Sequence, residues 1–257
     1  MIFIKNEEEI EKMKAAAEIM KKVHAALYKS IKPGVSTYQL DKIIEEIILS
    51  HGAISAEKGY PNFSPGKPAF PGNACISVNE EIVHGVPKKE RILKNGDIVS
   101  IDLVVKYNGY HADAARTYIV GKAKSKKDEN LVIVTEEAFF EGIKFAKPGY
   151  RIGDISAAIE KYVKSKGFDV IKEYQGHGIG KSMHEDPMIP NYGKAGTGVR
   201  LKKGMTLAIE PMVVSGSDRI LDNDPDGWTV VTYDGKPSAH YENTVLITDD
   251  EPEILTL

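Results

Sequence analysis

The sequence has few of the features that mark secreted, membrane-spanning or nucleic-acid-binding proteins. Its 257 residues include one cysteine, Cys75, which excludes an internal disulfide and is typical of a reducing compartment such as the cytoplasm. No apolar run approaches the roughly 20 residues that cross a bilayer. The N-terminus, MIFIKNEEEIEK, lacks the charge order of a signal peptide. The formal net charge is −3 without a basic block, so specific nucleic-acid binding is not expected.

Composition is compatible with one large domain. The hydrophobic fraction of 42% is enough for a sizeable core, and no flexible linker divides the chain. The charged run 122–128 is interpreted as a connector between two pseudo-repeats, about 1–121 and 129–257. We therefore predict a single catalytic domain over residues 1–257.

The first evidence of duplication lies in two predicted helices. The segment IKPG at 31–34 matches AKPG at 146–149, an offset of 115, and each is followed by an amphipathic pattern that a glycine stops. In the first copy, Ser36 and Gln39 predict a capping box for a helix from about Tyr38 to Ser50. A further helix, capped by Asn6, precedes this copy. The apolar face of that helix includes His24, which we interpret as a structural histidine.

The second evidence of duplication lies in acidic residues. LKNGDIVSID at 93–102 matches LKKGMTLAIE at 201–210, and each reads as a turn followed by a strand that ends in an acid. Likewise, HAD at 111–113 is repeated as HYE at 240–242. Two copies of such a hairpin would pack about a pseudo-twofold axis with their acids at the centre. Those acids would repel each other unless cations lay between them.

The register of the first hairpin follows from its turn. Asn108-Gly109 is a strong two-residue hairpin signal, and it would pair Val104 with Asp113. Asp102 and Asp113 would then be diagonal neighbours on one face, about 7–8 Å apart. The alternative, solvated acids on exposed strands, is disfavoured by the apolar flanks and by the repetition.

Three histidines accompany these acids. His177 lies between glycines in GHGIG at 176–180, where backbone can approach closely and a neutral imidazole can bind a transition metal. Four carboxylates and one imidazole suit a pair of divalent metals. His84 and His184 lie in predicted loops beside the hairpins, and they are candidates to contact a substrate.

Taken together, these motifs resemble those of the type I methionine aminopeptidases of bacteria. The likeness covers almost the whole chain and is carried by CISVNE at 75–80, VHG at 83–85, GDIVSID at 96–102, HAD at 111–113, GHGIG at 176–180, HEDP at 184–187, GMTLAIEPM at 204–212, DGWT at 226–229 and YE at 241–242. Two departures are visible. The Pro- and Gly-rich loop 60–73 is longer than in compact members, and Met183 stands where an aromatic residue is frequent.

The resemblance implies an α+β "pita-bread" fold, with two pseudo-twofold-related halves and helices outside a curved antiparallel sheet. It also implies the roles of the site residues. Two divalent ions (Co, Mn, Fe or Zn) would be held by Asp102, Asp113, His177, Glu210 and Glu242. His84 and His184 would contact substrate and act in catalysis with Glu210. The methionine side chain would be bound by Tyr60, Phe70, Cys75, Met183 and Trp228.

The function implied is removal of the N-terminal methionine from nascent proteins and peptides with a small second residue, by metal-activated water. A cytoplasmic monomer acting near the ribosome is expected. One alternative within the fold is a proline-specific aminopeptidase or prolidase, which usually carries an extra N-terminal domain. The other is a non-catalytic peptide-binding module, which would have lost metal ligands that are all present here.

Overall fold

The computed structural model describes residues 1–62, 64, 66–222 and 225–257. Its helices form two consecutive pairs, which are α1 (Glu7–Ser30) with α2 (Thr37–Ser50), and α3 (Lys126–Ile143) with α4 (Ile152–Ser165). The bounds of α2 and α4 differ by 115 residues at both ends. The helical part of the predicted duplication is therefore present in the structure.

The strands of the first half precede α3, and the remaining strands follow it. They are β1 (Ile54–Ser55), β2 (Cys75–Val78), β3 (Glu81–Val83), β4 (Ile98–Tyr107), β5 (Tyr110–Ile119), β6 (Asp169–Val170), β7 (Gln175–Gly178), β8 (Glu185–Pro190), β9 (Thr206–Ile209), β10 (Met212–Val214), β11 (Ile220–Leu221), β12 (Val230–Thr232), β13 (Ser238–His240), β14 (Asn243–Leu246) and β15 (Glu253–Ile254). All pairings between these strands are antiparallel. In one sheet β4 is paired with β5, β2 and β1, and a second sheet has the order β15-β14-β9-β7-β8.

Local side chains set the helix ends. Asn6 and Ser36 both form the capping boxes that the sequence predicts. The interpretation of 122–128 as a connector is wrong for its last three residues, because α3 already begins at Lys126. Ser125 accepts a hydrogen bond from the Asp128 amide there, and acids in the first turn suit the positive end of the helix dipole.

The first hairpin has the predicted register. Asp102 faces Ala115 and Val104 faces Asp113 across β4 and β5. Asn108 and Gly109 have positive φ values of 49° and 82°, as a two-residue hairpin turn requires. The strand β4 extends beyond Asp102 to Tyr107, as the predicted pairing of Val104 with Asp113 requires.

The second hairpin is interrupted. β9 ends at Ile209, directly before Glu210 and Pro211, and the chain resumes pairing as β10. Opposite this break, Glu242 lies between β13 and β14. Proline lacks the amide hydrogen that a continuous ladder needs, which accounts for the interruption.

Each pair of helices packs on the strands of its own half. The first core cluster joins α1 and α2 to one face of β4 and β5, including Val99, Ile101, Leu103 and Val105. The second cluster joins α3 and α4 to β9, β10, β13 and β14. His24 is buried, as predicted, with its ring nitrogens near the Tyr118 hydroxyl and the Ala114 carbonyl. Within the described residues, no helix combines the length and apolar character needed to cross a membrane.

Candidate metal centre

A cavity of about 530 Å³ lies on the side of β4 and β5 that faces away from α1 and α2. All twelve residues that the sequence analysis singled out as a site line this cavity. They are Tyr60, Phe70, Cys75, His84, Asp102, Asp113, His177, Met183, His184, Glu210, Trp228 and Glu242.

Four carboxylates and one imidazole meet at the base of the cavity. The His177 Nε2 atom lies 3.6 Å from Asp113 Oδ2 and 3.6 Å from Glu210 Oε1. Asp113, His177 and Glu242 offer ligand atoms that all lie within 4.8 Å of one another. One oxygen of each of Asp102, Asp113 and Glu242 is buried without a hydrogen-bond partner among the described residues. Such oxygens are costly unless something compensates them.

The proximity of these acids is reflected in their titration. Burial raises the pKa of Asp102 to about 6, although its carboxyl group remains partly open to the cavity. Burial also raises the pKa values of Asp113, Glu210 and Glu242 well above their ordinary range, and mutual repulsion adds to this for Asp113 and Glu242. The protein alone therefore does not balance the negative charge of this group.

His177 is held as a neutral ligand. Burial, and secondarily His184, lower the pKa of His177 to about 3. Its Nδ1 atom lies 2.8 Å from the Gly178 carbonyl oxygen, to which a ring N–H can donate. The Nε2 lone pair then points toward the carboxylates, as a metal ligand requires.

The two hairpins are joined directly at this point. The Asp113 amide donates to the Thr244 hydroxyl, and that hydroxyl donates to the Asp113 carbonyl, each at 2.9 Å. The Glu242 amide donates to the Ala115 carbonyl at 3.0 Å. Arg116 adds hydrogen bonds to the Glu242 carbonyl and to the Asn243 side chain. These contacts fix the acids of both halves relative to one another.

His184 lies above the acids on the loop before β8. Its ring is 4.4 Å from that of His177 between centroids, and its Nδ1 atom lies 3.0 Å from the Tyr60 hydroxyl. Burial lowers its pKa. The next residue, Glu185, pairs with the buried ammonium of Lys5 at 2.6 Å, which anchors this loop.

Aromatic side chains line a further part of the cavity. Phe70 and Trp228 make an edge-to-face contact with centroids 5.3 Å apart, and His84 lies 6.3 Å from Trp228. The loop 60–73 contributes to this aromatic wall, since the Trp228 indole donates to the Pro68 carbonyl at 2.9 Å. This loop has no helix or strand among its described residues, as predicted. Burial lowers the pKa of His84 to about 4, so the ring is neutral at neutral pH.

The sequence analysis missed three residues of the cavity region. Glu57 is buried beside Cys75 and Asp102, and nothing in its local sequence indicates this. Tyr174 packs against His84, with centroids 5.2 Å apart. The Nε2 atom of His240 lies 3.5 Å from Glu210 Oε2. This histidine could have been predicted, because HYE at 240–242 repeats HAD at 111–113.

The donor set fits divalent metal ions. Carboxylates and a neutral imidazole are hard-to-borderline ligands that suit Mn, Fe, Co and Zn. Cations among them would satisfy the unpartnered oxygens and remove the repulsion. The four carboxylates and His177 are therefore positioned to hold metal ions.

Comparison with known proteins decides the family. The sequence model of metallopeptidase family M24 matches residues 11–249. This chain belongs to family M24. A methionine aminopeptidase from Clostridium acetobutylicum is 49% identical over 257 residues, which cover 100% of this chain and 99% of that protein. The resemblance to bacterial methionine aminopeptidases is therefore confirmed.

Solved structures also separate the methionine aminopeptidase interpretation from the prolidase alternative. The crystal structure of a methionine aminopeptidase from Thermotoga maritima matches with a TM-score of 0.94 and 48% identity, covering 100% of this chain and 99% of that one. A prolidase from Pyrococcus furiosus matches with a TM-score of 0.74 and 26% identity, and only 65% of it is covered, against 99% of this chain. Both support the predicted pita-bread fold, and the first is much the nearer to this M24 chain.

Proposed function

We propose that this M24 chain is a methionine aminopeptidase, which removes the N-terminal methionine from peptides and nascent proteins with a small second residue. The observation that carries the proposal is the cavity itself. Four carboxylates and an imidazole lie at the bottom of this cavity, and aromatic side chains line the same space. The 49% identity with a methionine aminopeptidase over the full length of this chain supports the same activity.

Two divalent ions would be held by the carboxylates and the imidazole described above, which are Asp102, Asp113, His177, Glu210 and Glu242. When bound, such ions supply an activated water and polarise the scissile carbonyl. Their identity among Co, Mn, Fe and Zn would depend on availability. Four ionised carboxylates balance the charge of two such ions.

Glu210 is suited to move a proton. Its carboxylate lies within 3.6 Å of the His177 and His240 ring nitrogens, and burial raises its pKa. A carboxylate with a raised pKa can accept a proton from water and return it to a leaving amine. Glu210 would therefore act as both base and acid.

His184 is suited to stabilise the substrate carbonyl. If the Tyr60 hydroxyl donates to Nδ1, the other ring nitrogen, Nε2, carries the hydrogen and can donate to a developing oxyanion. His84, which lies beside Tyr174 and Trp228, would contact the peptide. Both rings are neutral at neutral pH because burial lowers their pKa values.

The aromatic wall is suited to a thioether. Phe70, Cys75, Trp228, Met183 and Tyr60 line the same cavity, and sulfur packs favourably against ring edges. An added or lost methylene in such a pocket changes selectivity by about 1–3 kcal/mol. Methionine should therefore be preferred over leucine.

The proposal extends to setting and organisation. We propose a single domain over residues 1–257, because residues of both halves line one cavity. One unpaired cysteine is compatible with the proposed cytoplasmic setting. We further propose that the protein acts as a monomer on chains emerging from the ribosome. Nascent methionine termini would be its partners.

The test compares Met-Ala-Ser, Met-Gly-Ser, Met-Lys-Ser, Leu-Ala-Ser, Pro-Ala-Ser and formyl-Met-Ala-Ser as substrates under each metal in turn. We expect methionine release from the first two peptides alone, because the free amine and a small second residue are both required. Glu210→Gln serves as the inactive control. Preferred release of proline, or efficient cleavage of the formylated peptide, would overturn the proposal.

A further inference from the structure

Glu57 is a fifth buried carboxylate of the cavity, and the proposed metal pair does not use it. The residue follows β1 and is only 7% exposed. Its Oε1 atom accepts a hydrogen bond from the Cys75 thiol at 3.4 Å, whereas Oε2 is buried without a partner among the described residues. No described lysine or arginine forms an ion pair with it.

The neighbours of Glu57 are fixed by the sheet. Cys75 on β2 is paired directly with Asp102 on β4. Ser55 on β1, two residues before Glu57, pairs with Val105 on the same strand β4. The ligand atoms of Glu57, Cys75 and Asp102 consequently lie within 4.8 Å of one another. Asp102 Oδ1 is the second oxygen in this group that is buried without a partner.

The chemistry of this trio differs from that of the pair site. Two carboxylates with a thiol form a softer donor set than carboxylates with imidazole, and soft thiolate ligands favour Zn²⁺ and similar ions. Two divalent ions already balance Asp102, Asp113, Glu210 and Glu242 in charge. Glu57 therefore adds a negative group for which the pair supplies no counter-ion.

We propose that Glu57, Cys75 and Asp102 form a third cation site, adjacent to the metal pair and sharing Asp102 with it, for a thiophilic divalent cation such as Zn²⁺ or Co²⁺. On binding, the S–H bond of Cys75 breaks, its proton leaves to solvent and the sulfur becomes a ligand. Three protein donors leave the remaining positions to water. The proposal concerns binding alone and does not depend on the peptidase activity.

The test is a titration of the metal-free protein with Co²⁺ alone, followed by metal analysis and near-ultraviolet absorption. Because Cys75 is the only cysteine of the chain, a thiolate-to-cobalt charge-transfer band can arise only from this site. We expect such a band to grow with an equivalent of Co²⁺ beyond the first two. Cys75→Ser should remove both the band and that equivalent, and Glu57→Gln should weaken it about tenfold or more.

Two variants serve as controls. Glu173→Gln neutralises an exposed acid that lines the same cavity, and it should leave the band unchanged. Asp113→Asn removes a proposed ligand of the pair alone, so loss of activity with the band retained would separate the two sites. A correctly folded wild-type protein without a thiolate band at saturating Co²⁺ would overturn the proposal. A band of unchanged affinity in Glu57→Gln would do the same.

Discussion

The two hairpins that supply the acids share a sequence pattern but are built differently. In the first, β4 and β5 run without a break, and Asp102 and Asp113 are diagonal neighbours in the middle of the strands. In the second, pairing stops at Glu210 and Pro211 and then resumes with the same register, since Ile209 faces Asn243 and Met212 faces His240. That register places Glu210 directly opposite Glu242.

This difference shows how one repeated hairpin pattern can present metal ligands in two ways, as aspartates within continuous strands and as glutamates at a break. Aspartates in a continuous ladder have little freedom, because both flanking residues are held by backbone hydrogen bonds. Glu210 and Glu242 have longer side chains and lie outside the strands, at the break, although the Glu242 amide is held by the Ala115 carbonyl of β5. The first half is therefore suited to define the position of the centre, and the second to supply the group that transfers protons.

The largest effect should come from removing charge in either half. Asp113→Asn and Glu242→Gln each take one carboxylate from a group in which the acids depend on cations for balance. We expect both variants to lose bound metal and turnover together, as measured by metal analysis and by release of methionine from Met-Ala-Ser. Full activity in either one would show that its half does not bind the metal.

The next largest effect should come from changing His184, on the loop before β8, and its neighbour Tyr60. His184→Ala should lower kcat about 10²–10³-fold, the usual result of losing one donor to a developing oxyanion, while metal content remains unchanged. Tyr60→Phe is the matched variant, since it removes the hydroxyl near His184 Nδ1 and keeps the ring. It should have a smaller effect in the same direction. Wild-type kcat in His184→Ala would leave this histidine with a structural role.

The third prediction concerns metal-free protein, in which both hairpins carry unbalanced acids. The raised pKa values of Asp113 and Glu242 mean that the folded state keeps protons that the unfolded state has released. Six histidines with lowered pKa values, His177 among them, oppose this until unfolded histidine has lost its proton, which happens above about pH 7. Stability should therefore fall as the pH rises above about 7 and through the raised pKa values of the two acids.

Thermal unfolding of chelator-treated protein at several pH values measures this slope. Asp113→Asn and Glu242→Gln should each flatten it, and added divalent cation should abolish it by keeping the carboxylates ionised. A midpoint that stays constant over this range in the metal-free wild type would contradict the assignment of raised pKa values to the acids.

The smallest effect should come from repairing the break. The Tyr241 amide donates to the Pro211 carbonyl at 3.2 Å. Pro211→Ala would add an amide at position 211, which in a regular antiparallel ladder donates back to the Tyr241 carbonyl. A hydrogen bond contributes about 0.5–1.5 kcal/mol, and loss of the proline restraint costs about 0.4–1 kcal/mol. Stability should thus change by less than about 1 kcal/mol. A fall in kcat without loss of metal would show that the break orients Glu210, and an unchanged kcat would show that it does not.

Features that depend on local chemistry were predictable from the sequence. The Asn108-Gly109 turn requires positive φ at both positions, so it determined the register of β4 and β5 and brought Asp102 near Asp113. Capping boxes and the 115-residue offset located the helices in the same way. The repeated acids then identified the four carboxylates of the candidate site.

Features that depend on distant contacts were not predictable in this way. Glu57 lies in a loop without periodicity, and its burial follows from the position of Cys75, which is paired with Asp102 on another strand. Similarly, the buried ion pair of Lys5 with Glu185 joins residues 180 positions apart. The start of α3 at Lys126 was missed for a different reason, because its charged residues were read as a linker although Ser125 caps them.

The joining of Asp113 to Thr244 has a consequence for the synthesis of the protein. The hydrogen bonds between these two residues span 131 positions, and Glu242 belongs to the same late segment. A ribosome adds about 5–20 residues each second, so these 131 positions take about 7–26 seconds to synthesise, and the first hairpin waits that long for its partner. During that interval its aspartates have neither Glu242 nor Glu210 beside them. A nascent chain that ends before Glu210 therefore contains only half of the centre, and the metal-binding group is complete only after the second hairpin has been synthesised.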